Sequence, residues 1–183
     1  MLRTSRTLFG CVLALAWIVP VRATTLQQLS LNDIIQKSTA IIRGTVQQSV
    51  SSLRGTVVYT HYTVRVSEVW KGNYNAQVDV GVPGGVVNGF RETYSGAPEL
   101  QNGQEYVLFL WTSKTGLTQV IGLSQGLFTL QTNSAGQTLA TRLASSARML
   151  SPTGQAINDG NLQMPLTDLR TRVQSVLGGH LSK

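Results

Sequence analysis

Alternating apolar and polar residues predict that most of this chain forms β-strands. The longest such stretch is residues 57–70, where Val58, Tyr62, Val64 and Val66 occupy even positions and polar side chains fill most odd positions. A period of two is typical of a strand with one face in the core. The other predicted strands are residues 40–46, 77–82, 105–111, 117–130 and 137–143.

Three of these strands depart from simple alternation. Residues 105–111 are nearly all apolar, which predicts a strand that is covered on both faces. Gly44 interrupts the first strand and indicates a bulge or a close backbone crossing. Gly122 and Gly126 interrupt residues 117–130 and predict a bulged strand.

Helices are predicted at both ends of this series of strands. Ser30 and Asp33 resemble an N-terminal cap, and apolar residues on one face predict a helix over residues 31–38. A second helix is predicted to begin at Leu166 and to end at Gly178. Together the elements predict a mainly β fold: a small five- to six-stranded OB-like barrel with short N-terminal and C-terminal helices.

Three segments carry a resemblance to a known family. They are residues 38–46 (STAIIRGTV), residues 62–72 (YTVRVSEVWKG) and residues 102–110 (NGQEYVLFL). In this order they resemble the netrin-like/TIMP-like OB-fold superfamily, whose domains have a Gly-containing first strand, a strand ending in Lys-Gly, and a Gly-x-x-Tyr strand. The resemblance covers about residues 30–130. The Gly-Leu-Ser-Gln-Gly stretch, residues 122–126, is also similar to uncharacterised exported bacterial proteins.

The resemblance implies an OB-like barrel, but it does not extend to inhibition of metalloproteases. TIMP-type inhibitors chelate the protease zinc through an N-terminal Cys that disulfides hold in place. The predicted mature chain begins at Thr24 and contains no Cys. No functional residue of the family is therefore transferred to this chain.

Residues 1–23 are predicted to be a signal peptide. Arg3 and Arg6 precede an apolar stretch over residues 8–19, and Val21 and Ala23 place small residues before a cleavage site after Ala23. The protein is therefore expected to be secreted or periplasmic. A retained membrane anchor is the alternative, although the apolar stretch is short for a span of about 30 Å. Lipidation of Cys11 is not favoured, because most of the apolar stretch follows this residue.

Composition predicts one globular domain held together by its core. The chain has 183 residues, of which 42% are hydrophobic and 13% charged. We divide it into an OB-like domain over residues 24–150, then a linker and a C-terminal helix packed on the barrel over residues 151–183. The leader carries three of the 15 basic residues and no acid, which leaves a net charge of +4. These charges are scattered, so no nucleic-acid partner is expected.

Catalytic and metal chemistry find little support in the sequence. His61 and His180 lie on separate predicted elements and cannot form a His-x-x-x-His zinc site, so neither a metal nor a cofactor is expected. Residues 122–126 fit the Gly-x-Ser-x-Gly pattern of a nucleophile elbow, but a strand-like run follows them where an elbow requires a helix. A small serine hydrolase using Ser124 and His180 remains as an alternative.

The best candidate surface is the long connection over residues 83–103. Compact domains seldom keep such a loop unless it has a function or is disordered. Arg91, Glu92 and Tyr94 supply a cation, an anion and an aromatic ring, and Phe90 is expected to anchor the loop to the barrel. The sequence therefore predicts a secreted, non-catalytic module that binds a protein or envelope partner. A loop without a partner and a structural envelope component remain alternatives.

Overall fold

The computed structural model describes residues 25–74 and 76–179, so the leader, its cleavage site and His180 lie outside the described residues. Two helices are present: α1 (Leu31–Lys37) and α2 (Leu166–Gly178). Thirteen strands accompany them in the described ranges: β1 (Thr25–Gln27), β2 (Ala40–Arg54), β3 (Val57–Lys71), β4 (Gln77–Pro83), β5 (Gly85–Val87), β6 (Phe90–Glu92), β7 (Glu105–Thr112), β8 (Thr118–Val120), β9 (Leu127–Thr132), β10 (Thr138–Arg142), β11 (Arg148–Leu150), β12 (Ala156–Ile157) and β13 (Leu162–Pro165).

The fold is mainly β, as the alternating pattern predicts. Eight strands form the main sheet, in the order β13-β10-β9-β7-β2-β3-β4, with β8 paired to β7. The short strands β1, β11 and β12 form a second sheet, and β5 and β6 form a two-stranded one. Within the described residues, no ladder of hydrogen bonds joins the first and last strands of the main sheet, so no closed barrel is found.

The main sheet is buried on both faces at its centre. On β7, Leu108 and Leu110 belong to a core enclosed by β2, β3, β4 and β8. Val107 and Phe109, which alternate with them, belong to a second core beneath the helices. The expectation that residues 105–111 are covered on both faces is therefore confirmed. The rings of Phe109 and Phe128 pack at 5.6 Å in the second core, a geometry worth about 0.5–1.5 kcal/mol beyond the buried area.

The helices form where the sequence predicts them. Ser30 caps α1 through a capping box, in which its hydroxyl accepts from the Asp33 amide at 3.1 Å. Leu169 and Val173 of α2 are fully buried in the second core. Neither helix in the described ranges is long and apolar enough to cross a bilayer.

The long β2–β3 hairpin is bent by irregular pairing. The register shifts at three places, and one shift separates Arg43 from Gly44. A Cβ on Gly44 would lie 2.6 Å from the carbonyl oxygen of Arg65, so the predicted bulge and close crossing are both confirmed. The bend brings the tip of the hairpin back towards the β7–β8 turn, where Arg54 Nη2 donates to Thr115 Oγ1 at 3.4 Å.

Several short strands occur where the sequence predicts none. The linker expected from residue 151 to the start of the C-terminal helix contains β12 and β13, and β13 joins the main sheet. The single strand expected over residues 117–130 is divided into β8 and β9, which follow one another along the same edge of β7. These strands are two to six residues long and contain little periodicity from which they could be recognised.

Candidate functional site

The segment expected to be a loop over residues 83–103 contains the β5–β6 hairpin. Its turn is Asn88-Gly89, with φ of 51° and 79° respectively. Two consecutive positive φ angles define a type I′ turn, for which Asn-Gly is the preferred sequence. The dipeptide was visible in the sequence, but each strand is only three residues long.

This hairpin crosses over β3 and β2 near the tip of the hairpin that they form. Gly84 N donates to Val58 O at 2.8 Å, and Thr60 Oγ1 donates to Gly84 O at 2.7 Å. At Gly85, a Cβ would lie 2.4 Å from Thr60 Oγ1 and 2.5 Å from Ser51 Oγ. Only glycine therefore allows the hairpin to approach so closely.

Glu92 and Tyr94 hold the base of the hairpin. Glu92 Oε2 accepts a hydrogen bond from Val58 N at 2.7 Å, and Oε1 accepts one from the Tyr94 hydroxyl at 2.8 Å. The hydrogen bond to Glu92 raises the pKa of the Tyr94 hydroxyl. Both residues are half-buried, so their main contacts are with the protein itself.

Phe90 and Arg91 lie at the exposed end of the same hairpin. Phe90 is 64% exposed, so the expectation that it anchors the loop is wrong. The hairpin instead contacts the strands beneath it through Gly84, Gly85 and Glu92 at its base. At the turn, a Cβ on Gly89 would meet nothing within 4 Å. Arg91, the next residue of β6, is also exposed, and its side chain projects from the opposite face of the hairpin.

A small cavity brings the three predicted residues together. Arg91, Glu92 and Tyr94 line a space of about 210 Å³ between the hairpin and the side chains of Thr60 and Tyr62. Glu92 and Glu99 give this cavity two negative charges, and Arg91 gives it one positive charge. The predicted residues therefore share one location, although only Arg91 among them is exposed.

A larger cavity of about 390 Å³ lies on the other side of residues 97–99 and includes Ser124 in its lining. Ser124 belongs to a six-residue excursion between β8 and β9. Ile121 N donates to Phe109 O and Phe109 N donates to Gly126 O, both at 2.9 Å, so the two ends of the excursion meet at one residue of β7. The glycines predicted a bulge in one continuous strand, whereas residues 121–126 form turns that divide it; β9, not a helix, follows directly.

The excursion is held by Gln125, whose role the sequence did not indicate. Gln125 is buried; its Oε1 accepts from Leu29 N at 2.7 Å and its Nε2 donates to Gln27 O at 3.0 Å. The preceding Leu123 has a φ of 58°, which is uncommon for a residue with a branched side chain. Ser124 Oγ is buried and makes no hydrogen bond to the described residues.

His61 lies on β3, where its Nδ1 is 2.8 Å from Asp79 Oδ2 of β4. It is not among the residues that line the Ser124 cavity. Among the described residues, no group of three or more His, Cys, Asp or Glu side chains is placed to hold a metal ion.

The motif residues that carry the family resemblance have structural contacts. Lys71 Nζ donates to Ile35 O at 2.9 Å and to Gln36 O at 2.8 Å, so it caps the C-terminal end of α1. Burial lowers the pKa of this amine. Gly72 has a φ of 82°, and a Cβ there would lie 2.9 Å from Thr39 O.

A network of charged side chains connects β2, β3, β7 and α2. No spacing of residues in the sequence predicted this network. Arg43 of β2 donates to Glu105 of β7 through two bonds of 2.9 Å and to Glu68 of β3 at 2.9 Å. Glu68 also accepts from Trp70 Nε1 at 2.9 Å and from Arg170 of α2. The hydrogen bond from Trp70, together with the one from Arg43, lowers the pKa of Glu68. The hydrogen bonds to Glu105 raise the pKa of Arg43.

Comparison of the chain with known proteins finds no match among family models, curated proteins or solved structures.

Proposed function

We propose that this chain is a secreted or periplasmic, non-catalytic binding module that holds a protein partner on the exposed end of the β5–β6 hairpin. The observation that carries the proposal is Phe90, an aromatic side chain that is 64% exposed on a hairpin whose base is firmly held. Phenylalanine and arginine, which both lie at this exposed end, are enriched in protein–protein interfaces. Because the hairpin is already ordered, binding costs little conformational entropy.

The surroundings of Phe90 favour a partner with an apolar pocket and an acidic rim. Val86, the cross-strand partner of Arg91, is also exposed, and so is Leu53 on the face of β2 over which the hairpin crosses. Exposed apolar side chains that cluster in this way mark interaction sites. Arg54 and Arg91 are exposed on the same two hairpins, so charge complementarity favours carboxylates on the partner.

The scaffold proposed for this site is an OB-like barrel. The strand order β4-β3-β2-β7-β8, the bent β2–β3 hairpin and the approach of Arg54 to Thr115 are features that a partly open barrel would have. The proposed export depends on the predicted leader, residues 1–23. Secreted protein should therefore begin at Thr24, and a purified protein that retains residues 1–23 would contradict this part of the proposal.

The test places a photo-reactive benzophenone side chain at position 90 of the full chain, which is expressed in the cells that naturally produce it. We expect one defined cross-linked species that disappears in Arg91→Ala and persists when the benzophenone protein carries Val69→Ser, an exposed apolar position on the other half of β3. Phe90→Ser should leave the melting temperature within a few degrees, because exposed positions usually contribute under about 0.5 kcal/mol. No cross-link, or one that Arg91→Ala leaves unchanged, would remove the hairpin from consideration.

The two alternatives make different predictions. A serine hydrolase requires Ser124 to react with a fluorophosphonate and Ser124→Ala to abolish the labelling. A structural envelope component would remain with insoluble envelope material regardless of Phe90. We expect neither result.

A further inference from the structure

The cavity that Ser124 lines is a second site, separate from the hairpin. It lies on the face of β7, β9 and β10 opposite to the one that packs against the helices. Its walls are formed by residues 96–99 and 101 on one side and by residues 143, 144 and 146 on the other. Its volume of about 390 Å³ is within the range of about 300–1,000 Å³ that is usual for small-molecule sites.

The floor of the cavity is a row of side chains fixed by strand register. Thr129 pairs with Tyr106 of β7 on one side and with Thr141 of β10 on the other, so the three lie side by side on one face. Gln131 follows two residues after Thr129 and therefore lies on the same face. This row is held by backbone ladders and needs no rearrangement to receive a ligand.

The chemistry of the lining favours a neutral ligand rich in hydroxyl groups. Gln101, Gln104 and Gln131 contribute amides, and Ser and Thr side chains contribute hydroxyls. Both group types donate as well as accept hydrogen bonds, as sugar hydroxyls do. Glu99 carries the one charge in the lining, and no Lys or Arg lines this cavity, so an anionic ligand would find no cation. Leu127 and Leu143 offer apolar contacts for the C–H face of a sugar ring.

Ser124 provides the observation that points to a missing partner. Its Oγ is buried and has no hydrogen-bond partner among the described residues, although it lines the cavity. Buried hydroxyls in native proteins are almost always paired with protein, water or ligand. The uncommon φ of Leu123 and the bond from Ser124 N to Gly96 O at 3.1 Å hold the backbone of Ser124 at the cavity wall. Because the Oγ has almost no accessible surface, a sugar oxygen reaches it after rotation about the Cα–Cβ bond of Ser124.

An extended peptide fits the cavity less well. β9 is paired on both edges, to β7 and β10, and β10 is paired to β9 and β13. Addition of a peptide strand needs a free sheet edge, and the strands that form this floor offer none there.

We infer that this cavity binds a neutral saccharide of one or two rings, with Ser124 Oγ and the Thr141 hydroxyl as hydrogen-bonding groups. Thr141 Oγ1 already accepts from Gln163 Nε2 at 2.9 Å, so its own proton is available to a sugar oxygen. The inference does not depend on the hairpin or on the proposed protein partner.

The test is saturation-transfer NMR on the full mature chain with glucose, galactose, mannose, N-acetylglucosamine and their β-1,4-linked disaccharides. Sugar concentrations up to about 10 mM allow dissociation constants of about 1 mM to be detected. We expect at least one saccharide to bind, and Ser124→Ala and Thr141→Val each to weaken it about tenfold. Thr138→Val is the matched control, because it makes the same substitution on the same strand but outside the cavity lining. Like Thr141→Val, it removes one side-chain hydrogen bond to a neighbouring strand, here the bond between the Thr138 and Thr132 hydroxyls.

If Ser124 had only a structural role, Ser124→Ala would bind the saccharide as the wild type does. Removal of a hydroxyl that lacks a partner should leave the melting temperature of Ser124→Ala unchanged or higher. This variant therefore keeps the test valid if Thr141→Val does not fold. Binding of none of these sugars would overturn the inference, as would equal binding by Ser124→Ala and wild type. Preference for glucose 6-phosphate over glucose would also overturn it, because the lining contains no cation.

Discussion

At the scale of single residues, Glu92 and Arg91 are neighbours with opposite roles. Glu92 accepts hydrogen bonds from Val58 N and from the Tyr94 hydroxyl, whereas Arg91 is exposed at the end of the hairpin. A half-buried acceptor with two donors contributes to stability, and an exposed cation contributes to encounters with a partner. The two substitutions can therefore separate folding from binding.

We expect Glu92→Ala to lower the free energy of unfolding by about 1–3 kcal/mol, because it leaves the Val58 amide and the Tyr94 hydroxyl without an acceptor. Arg91→Ala should change it by less than about 0.5 kcal/mol. Urea unfolding followed by circular dichroism measures both. Glu92→Gln keeps one carbonyl acceptor and should fall between the two, and equal stability of all three variants would show that Glu92 does not hold the hairpin.

At the scale of elements, the β5–β6 hairpin depends on two glycines for different reasons. Gly89 has a positive φ of 79°, and a Cβ there would meet nothing within 4 Å. Gly85 lies against the hydroxyls of Ser51 and Thr60, where no Cβ fits. The first glycine permits the turn, and the second permits docking on β2 and β3.

We expect Gly89→Ala to cost about 1 kcal/mol, the backbone strain alone, and Gly85→Ala to cost about 2–4 kcal/mol, because a steric clash is added. Limited proteolysis of the hairpin, with urea unfolding in parallel, measures the difference. The Gly85 variant should be cleaved within residues 84–93 faster than the Gly89 variant. If the order were reversed, close packing of the hairpin on β2 and β3 would be wrong.

At the scale of the whole molecule, the network around Glu68 joins β2, β3, β7 and α2 and gives stability a pH dependence. The pKa of Glu68 is lowered from 4.5, first by the hydrogen bond from Trp70. Between the lowered pKa of Glu68 in the folded chain and its pKa of 4.5 in the unfolded chain, the unfolded chain binds more protons than the folded one. Stability therefore rises with pH across that window. The contribution is complete above pH 4.5 and is lost as pH falls through the folded value.

We expect the wild-type protein to lose stability as the pH falls below 4.5, and Glu68→Gln to lose less over the same range, because its amide does not titrate. Urea midpoints at several pH values give the slopes. Arg170→Met should lie between the two, since it leaves the bonds from Trp70 and Arg43 in place. Parallel slopes for wild type and Glu68→Gln would exclude Glu68 as a source of the acid sensitivity.

Features that depend on nearby residues were predictable from the sequence. The capping box of Ser30 and Asp33, the helix from Leu166 and the two-sided burial of β7 were all predicted and are all present. Arg91, Glu92 and Tyr94 were also placed together, and they line one cavity. Their different roles were not predictable, because nothing local shows that Glu92 meets Val58, 34 positions away.

The sequence by itself determined the mainly β class and the positions of the helices, because hydrophobic period, capping residues and glycine constraints act within a few residues of the chain. Tertiary structure alone decided that the sheet shows no closing ladder in its described part, that Phe90 is exposed, and that Arg43 meets Glu105 across 62 positions. Such contacts depend on how distant strands pair around two cores. The free energy of that packing is a property of the whole fold and is not contained in any one segment.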